Sequence, residues 1–313
     1  MKKMLAFVLI LALLMTMPLL YACGGGTTDD QTPDDGEIKD PAGDTTPPDE
    51  NDPNENDPDE NEEPEGPKTV TLKIGSFNIK NGTDVQHNLK RLADEILDKD
   101  LDIVGLQEVD RFAKRSQYLD TMERLSELTG YEYYYYSKAI NITGDPAAYG
   151  QEGEYGTGIL SKYPIVFEET TEIPSANYEQ RVLGSVIIEI AEGIHINFFN
   201  THLTYNTLEI REKQMEAINE IMGDSTYCIL TGDFNVESIE EFEKFSKLTG
   251  ASNKDNPLES YWYWKQDPWP TGCIDNVLYS KEFILKDCGV SKKKLSDHYL
   301  LWAELEIITE TEE

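Results

Sequence analysis

The sequence predicts an α/β sandwich in which two packed, mostly antiparallel β-sheets are flanked by helices. Three observations favour this fold class. About 245 residues follow a polar N-terminal segment without an internal repeat or a second linker, which is enough for one large domain. Strand-like runs outnumber helical patterns, and apolar residues in several runs alternate with a period of two.

Each element is predicted from local composition and periodicity. Runs rich in apolar, β-branched and aromatic residues predict strands at 70–79, 101–109, 131–140, 157–160, 182–190, 194–200, 227–231, 274–279 and 299–307. Helical periodicity predicts helices at 85–99, 118–128, 208–222 and 239–248. Helices spread among strands in this way are expected to cover the outer faces of the sheets.

The first 22 residues are typical of a secretory signal peptide. Lys2 and Lys3 precede an apolar run at 4–20, and the tetrapeptide Leu-Tyr-Ala-Cys then ends at Cys23. This ending resembles a bacterial lipobox, which would make Cys23 the lipidated first residue of the mature protein. The alternative is an uncleaved anchor, because about 19 apolar residues can just span a bilayer. Both interpretations predict an extracytoplasmic domain held at the cell membrane.

Residues 23–67 are predicted to form a disordered acidic tether. They include 17 acidic residues against one lysine and almost no large apolar side chains, so folding could not offset the ordering entropy. The whole chain has a net charge of −33, of which −19 belongs to the predicted domain at 68–313. An acidic domain is a poor binder of long nucleic acid, which proteins usually grip through a basic face.

Three cysteines lie in the predicted domain, at Cys228, Cys273 and Cys288. An odd number permits at most one internal disulfide, and the sequence does not say which pair would form it. Their spacing relative to the histidines does not match a zinc site.

Several apolar runs end in polar or charged side chains. These strings are Ser76-Phe77-Asn78, Leu106-Gln107-Glu108, Asn200-Thr201-His202 and Gly232-Asp233-Phe234-Asn235, and Ile274-Asp275 and Ser296-Asp297-His298 lie near the last run. A carboxylate at the edge of a core is costly unless it is paired or bound to a cation. We therefore expect the strand ends to form one polar site at the rim of the sandwich.

Period-two alternation assigns these polar side chains to particular faces. In the run that ends at His202, apolar residues share a face with Asn200 and His202. In the run that ends at Glu108, the same alternation places Glu108 on the face of Val104 and Leu106.

In this order, the strings resemble those of the endonuclease/exonuclease/phosphatase superfamily, metal-dependent phosphoesterases built like DNase I. The resemblance covers about 69–307 and implies a four-layer sandwich that hydrolyses a phosphate ester by in-line attack of water. A string at 155–164 is also similar to a family string, except that Thr157 replaces the usual asparagine. Lys80 stands where several DNA-repair relatives carry an aspartate ligand, which argues against that branch.

The resemblance implies a Mg²⁺ site and a residue that activates water. Glu108 would bind the ion, with Asn78 as a carbonyl ligand or close support, because Mg²⁺ prefers a few hard oxygen ligands and retains several waters. Mn²⁺ or another hard divalent cation is the alternative. Asp297 would support the ion through bound water or backbone contacts. Asp233 would orient or deprotonate the attacking water, and Asn235 would contact the phosphate.

The remaining site residues are expected around the phosphate. His298 with Asp275 would form a carboxylate–imidazole pair, in which the carboxylate raises the affinity of the imidazole for its proton. His298 could then hold a phosphate oxygen or act as an acid. His202 is expected to donate to the phosphate from the opposite side. Asn200 is expected to bind substrate there and to help set the geometry of His202. Arg181 is expected on the substrate side, with a surface position at the start of a strand as the alternative.

These observations favour a lipid-anchored, extracellular, Mg²⁺-dependent phosphoesterase that is monomeric. A small or lipid-linked phosphodiester is favoured over nucleic acid because the domain is acidic and tethered to the membrane. An extracellular DNase/RNase-type endonuclease is the alternative. A non-catalytic binding lipoprotein on the same fold is a different class, and it would be expected to lack Glu108, Asp233 or His298. An aromatic cluster at 261–269 is expected on a loop near the mouth of the site.

Overall fold

The computed structural model describes residues 68–142, 152–266 and 269–309. The predicted signal peptide, Cys23 and the acidic tether lie outside the described residues. Within those ranges, no helix is both long enough and apolar enough to cross a bilayer. Cys228, Cys273 and Cys288 are all described, and each is a free thiol.

Two six-stranded sheets form the centre of the domain. In chain order the strands are β1 (Lys68–Asn78), β2 (Ile103–Arg111), β3 (Tyr133–Asn141), β4 (Glu154–Ser161), β5 (Ile165–Ile173), β6 (Arg181–Ala191), β7 (Ile194–His202), β8 (Cys228–Asp233), β9 (Leu248–Gly250), β10 (Asp275–Ser280), β11 (Phe283–Val290) and β12 (Leu301–Thr309). The first sheet has the order β11-β12-β1-β2-β4-β3, and the second has the order β5-β6-β7-β8-β10-β9. The β1–β2 and β7–β8 pairs are parallel and the other pairs are antiparallel, which confirms the predicted sheet type.

Three apolar clusters hold the layers together. The cluster between the sheets includes Ile74, Ile103 and Phe198. A second cluster joins the first sheet to α1 (Lys90–Asp98) and α2 (Thr121–Thr129). A third joins the second sheet to α3 (Leu208–Met222). Ile103 faces the other sheet and Val104 faces the helices, as period-two geometry requires. The predicted four-layer α/β sandwich is therefore confirmed.

The structure differs from the predicted elements mainly at the sheet edges. Strands β5, β9 and β11 were not predicted, and each lies at an edge. Much of β5 and β11 is exposed, so neither shows a clear buried face. The helix predicted at 239–248 is wrong, because Ile239–Lys244 forms a 3₁₀ helix that is followed by β9. The first helix begins at Lys90 rather than at residue 85.

The strand directions bring the polar strand ends to one rim. Parallel β1 and β2 end there in the first sheet, and parallel β7 and β8 end there in the second. Because β10 runs antiparallel to β8, its first residue, Asp275, pairs with the last residue of β8, Asp233. The loop before β12 carries His298 to the same rim, since β12 runs antiparallel to β1.

Candidate active site

A β-bulge in β2 places Glu108 at the rim. The register between β2 and β4 shifts between Leu106 and Val109, and Glu108 has a left-handed φ of 55°. Strict alternation would have put Glu108 beside Val104 and Leu106 against the helices, so the predicted face is wrong. The bulge instead brings Glu108 Oε1 within 3.1 Å of Asn78 Nδ2. Burial raises the pKa of Glu108, and the hydrogen bond from Asn78 opposes this increase.

The buried Asn78 amide joins carboxylates from the two sheets. Its Nδ2 donates to Glu108 Oε1 and, at 2.9 Å, to Asp233 Oδ2. Its Oδ1 accepts a hydrogen bond of 3.0 Å from the backbone N–H of Lys80, which fixes this orientation of the amide. Of the two predicted roles for Asn78, the geometry therefore favours support of the carboxylates over direct ligation through Oδ1.

Asp233 is the centre of the polar cluster. Its Oδ2 lies 3.5 Å from Nε2 of His202 and 3.7 Å from Nε2 of His298. Its Oδ1 accepts from the backbone N–H of Asn235 at 3.1 Å. Burial, together with the nearby Asp275 charge, raises the pKa of Asp233 to about 7. A carboxylate with this pKa can accept a proton near neutral pH.

The predicted His298–Asp275 pair is present. His298 Nδ1 lies 2.7 Å from Asp275 Oδ2, which also accepts a 2.6 Å hydrogen bond from Ser260 Oγ. Burial alone would lower the pKa of His298, but Asp275 and then Asp233 raise it to about 10. The imidazole is therefore charged at neutral pH, and its Nε2–H faces the cavity side of Asp233. Ser260 was not predicted, because a single serine in a loop carries no recognisable pattern.

Arg181 fixes the protonation state of His202. Its Nη1 lies 3.1 Å from His202 Nδ1, and because a guanidinium can only donate, Nδ1 must be the acceptor. Burial and then the charges of Arg181 and His298 lower the pKa of His202 well below its usual value. His202 is thus neutral and carries its proton on Nε2. Arg181 is itself buried and pairs with Glu179 at 3.1 Å, so the alternative of a surface arginine is wrong.

Asn200 does not reach the site, which corrects its predicted role in substrate binding. It is fully buried, and its Nδ2 donates to the backbone oxygens of Leu106 and Gly158 at 2.8 Å each. Its Oδ1 accepts from Gln107 Nε2 at 2.7 Å. Because Asn200 belongs to the second sheet and these three partners belong to the first, its amide connects the sheets below the cavity.

The candidate catalytic cavity has a volume of about 350 Å³ and opens at this rim. The predicted residues Glu108, Arg181, His202, Asp233, Asn235, Asp297 and His298 all line it. Tyr261 and Trp269 of the predicted aromatic loop also line it, as expected. Glu179 and Tyr205 line it without having been predicted, because single residues in a loop gave no motif. Tyr155, the first residue of the family-like string at 155–164, lines it too, although no role was predicted for it.

The residues at the rim fit a hard cation on the Glu108 side of the cavity. There, Glu108 and Asp297 offer carboxylate oxygens within the cavity, and burial of Glu108 favours a positive partner. Asp233, Asp275 and His298 also bring one possible ligand atom each within 4.8 Å of one another. In this group, His298 Nδ1 already pairs with Asp275 Oδ2 at 2.7 Å, which favours a charge pair over ligation by that nitrogen.

The sequence profile of the Endonuclease/Exonuclease/phosphatase family matches residues 75–298, a range that contains all of these rim residues. The chain belongs to this family. The family acts on phosphoesters, which agrees with a cavity built from carboxylates, imidazoles and an arginine. In this chain, strand ends of both sheets form the rim.

One relative by sequence and several solved structures resemble the chain at low sequence identity. A putative neutral sphingomyelinase from Caenorhabditis elegans is 25% identical over 176 residues, which are 50% of this chain and 37% of that protein. The chain thus spans well under half the length of this relative. An endonuclease/exonuclease/phosphatase from Beutenbergia cavernae has a TM-score of 0.62 at 19% identity, over 76% of this chain and 72% of that one. A Bacteroides thetaiotaomicron mannosyl-6-phosphatase has a TM-score of 0.55 at 19% identity, over 75% and 99%.

Proposed function

We propose that this family member is a Mg²⁺-dependent phosphodiesterase that uses in-line attack of water. The observation that carries the proposal is the position of Asp233. Its carboxylate lies between a neutral imidazole, His202, and a charged imidazole, His298, and Asn78 links it to Glu108. This arrangement offers a base, two N–H donors and a cation ligand within one cavity.

Each side chain has a role that follows from its protonation state. Asp233 accepts the proton of the attacking water, held in place by the N–H of Asn235. His298 and His202 each direct an Nε2–H toward the space where phosphate oxygens would lie. Glu108 would hold Mg²⁺, with Asn78 in support and Asp297 acting through bound water. When bound, the ion neutralises phosphate charge and stabilises the leaving oxygen.

A small or lipid-linked phosphodiester is our preferred substrate class. The cavity itself is acidic, since four carboxyl groups, those of Glu108, Glu179, Asp233 and Asp297, line it against the cations Arg181 and His298. Such a site disfavours a long polyanion, and a relative described as a putative neutral sphingomyelinase fits a lipid-linked ester. An extracellular endonuclease is the second candidate. A second cavity of about 420 Å³, lined in part by Trp262 and Tyr263, adjoins the first and could accept a stacked base.

We also propose that the protein is a monomer anchored outside the cytoplasmic membrane through lipidated Cys23. The lipobox-like tetrapeptide and the acidic segment that follows it support the anchor. Metabolic labelling with an alkyne fatty acid should label the wild-type chain and not Cys23→Ser. Labelling of both proteins would contradict a lipid on Cys23.

A substrate panel tests the catalytic proposal. Sphingomyelin, bis-p-nitrophenyl phosphate, inositol phosphates, p-nitrophenyl phosphate, RNA and plasmid DNA are each assayed with Mg²⁺ and with EDTA. We expect Mg²⁺-dependent turnover of the non-nucleotide diesters. Turnover of duplex DNA alone would favour the endonuclease, and turnover of monoesters alone would exclude a diesterase. Full activity in EDTA would contradict the metal requirement, and no turnover at all would favour a binding protein.

A further inference from the structure

Lys80 occupies the boundary between the catalytic cavity and the adjoining cavity. Its Nζ lies 2.9 Å from Asp297 Oδ2 and 3.5 Å from Asp84 Oδ2. The adjoining cavity is lined by Lys80 and shares Tyr261 and Asp297 with the catalytic cavity. The ammonium group therefore compensates a carboxylate that faces the site.

The backbone of Lys80 is fixed by the same site. Lys80 and Asn81 both have left-handed φ values, 46° and 44°. Left-handed residues other than glycine persist only where their surroundings hold them. The N–H of Lys80 donates to Asn78 Oδ1, and this is the contact that turns the Asn78 amide toward Glu108 and Asp233. Lys80 is thus held at its backbone by one site residue and at its ammonium by another.

The ammonium lies where it would oppose a cation on Asp297. A divalent ion bound directly to Asp297 would lie close to a positive charge only 2.9 Å from that carboxylate. Like charges at such separations repel strongly in a partly buried site. Glu108 also lines the catalytic cavity, and the hydrogen bond that it accepts comes from Asn78, a neutral amide, so its oxygens remain suited to an ion.

We propose that Lys80 takes the place of a second cation, so that the site holds one divalent ion, at Glu108. The ammonium of Lys80 supplies the second positive charge and keeps Asp297 from binding another ion directly. This inference rests on the proposed Mg²⁺-dependent function and deepens it, because it sets the number of ions that the site uses.

Ion counting on the full chain tests the inference without relying on activity. Mn²⁺ is titrated into the protein, free Mn²⁺ is followed by electron paramagnetic resonance, and calorimetry gives the stoichiometry. The wild-type chain is expected to bind one ion. Lys80→Met removes the charge but keeps the backbone N–H, and Lys80→Asp adds a carboxylate where left-handed φ is well tolerated. Both variants are expected to bind two ions, with spin coupling between neighbouring Mn²⁺ ions.

Lys294→Met is the matched control. Lys294 lies in the same region, but its Nζ packs 3.8 Å from the centre of the Trp262 ring rather than on Asp297. This variant should bind one ion with wild-type affinity. Two ions in the wild-type protein, or one ion in whichever Lys80 variants fold, would overturn the inference about Lys80. Neither result would contradict the proposed function. No bound ion in the wild-type protein would instead contradict the proposed function.

Discussion

Replacing Asp275 with asparagine should move the alkaline limit of activity. The pKa of His298 is about 10 against an ordinary value of 6.5, which corresponds to about 5 kcal/mol in favour of the charged imidazole. Asp275 contributes more to this increase than Asp233, and burial opposes both. Removing the Asp275 charge should therefore remove more than half of the free energy that favours the charged imidazole, roughly 3 kcal/mol. This loss lowers the pKa of His298 by about two pH units.

The assay is kcat/KM on bis-p-nitrophenyl phosphate from pH 6 to pH 10 at saturating Mg²⁺. Asp233 must be ionised, so activity should fall as the pH drops below about 7, or lower where a bound cation depresses its pKa. His298 must be protonated, so wild-type activity should fall only near pH 10. In Asp275→Asn this fall should begin near pH 8, so that about tenfold more activity is lost at pH 9 than at pH 7.

Ser260→Ala is the control, because it removes the 2.6 Å hydrogen bond to Asp275 without changing any charge. Its alkaline limit should move by less than about one pH unit. A histidine NMR titration gives the pKa of His298 independently of turnover. If Asp275→Asn keeps both the wild-type alkaline limit and the wild-type imidazole titration, the assigned role of Asp275 is wrong.

Three further predictions concern neighbouring residues. Asp233→Asn should be inactive yet more stable at pH 8 by up to about 4 kcal/mol, because a carboxyl with a pKa raised from 3.8 to about 7 loses stability as the pH rises through that range. Calorimetry without divalent cations should show this gain at pH 8 and almost none at pH 4. Arg181→Met should lower kcat/KM by about 10- to 100-fold and raise the pKa of His202, and an unchanged NMR titration would contradict the assigned tautomer. Asn200→Ala should lower the free energy of unfolding, measured by urea denaturation, by about 3 kcal/mol, because buried polar groups of the facing sheet lose their hydrogen-bond partner. KM should stay constant. A raised KM with unchanged stability would restore its role in substrate binding.

The polar strand ends were predictable because strand direction and composition agree there. Asn78, His202 and Asp233 each follow an apolar run, and parallel neighbours necessarily end at one rim. The edge strands were not predictable in the same way. An edge strand such as β5 has no second neighbour and little burial, so its side chains need not alternate.

Contacts that depend on three-dimensional detail also escaped prediction. Period-two alternation assigns Glu108 to the wrong face because nothing in the sequence marks the bulge that turns it. Asn200 shares a face with His202, yet it lies two residues deeper, where the neighbouring sheet already covers it. The tautomer of His202 depends on Arg181, which is 21 residues away in the chain.

The amide of Asn200 has a consequence for the accuracy of the site. Hydrophobic burial is non-directional, so it does little by itself to fix the relative position of two packed sheets. Hydrogen bonds are directional, and the three that the Asn200 amide makes to the first sheet therefore favour one relative position of the two sheets. Gly105 permits these contacts, because a side-chain carbon there would come within 2.6 Å of the amide oxygen. Asn200 thus helps to fix the spacing between Glu108 and Asp233, although it does not line the cavity.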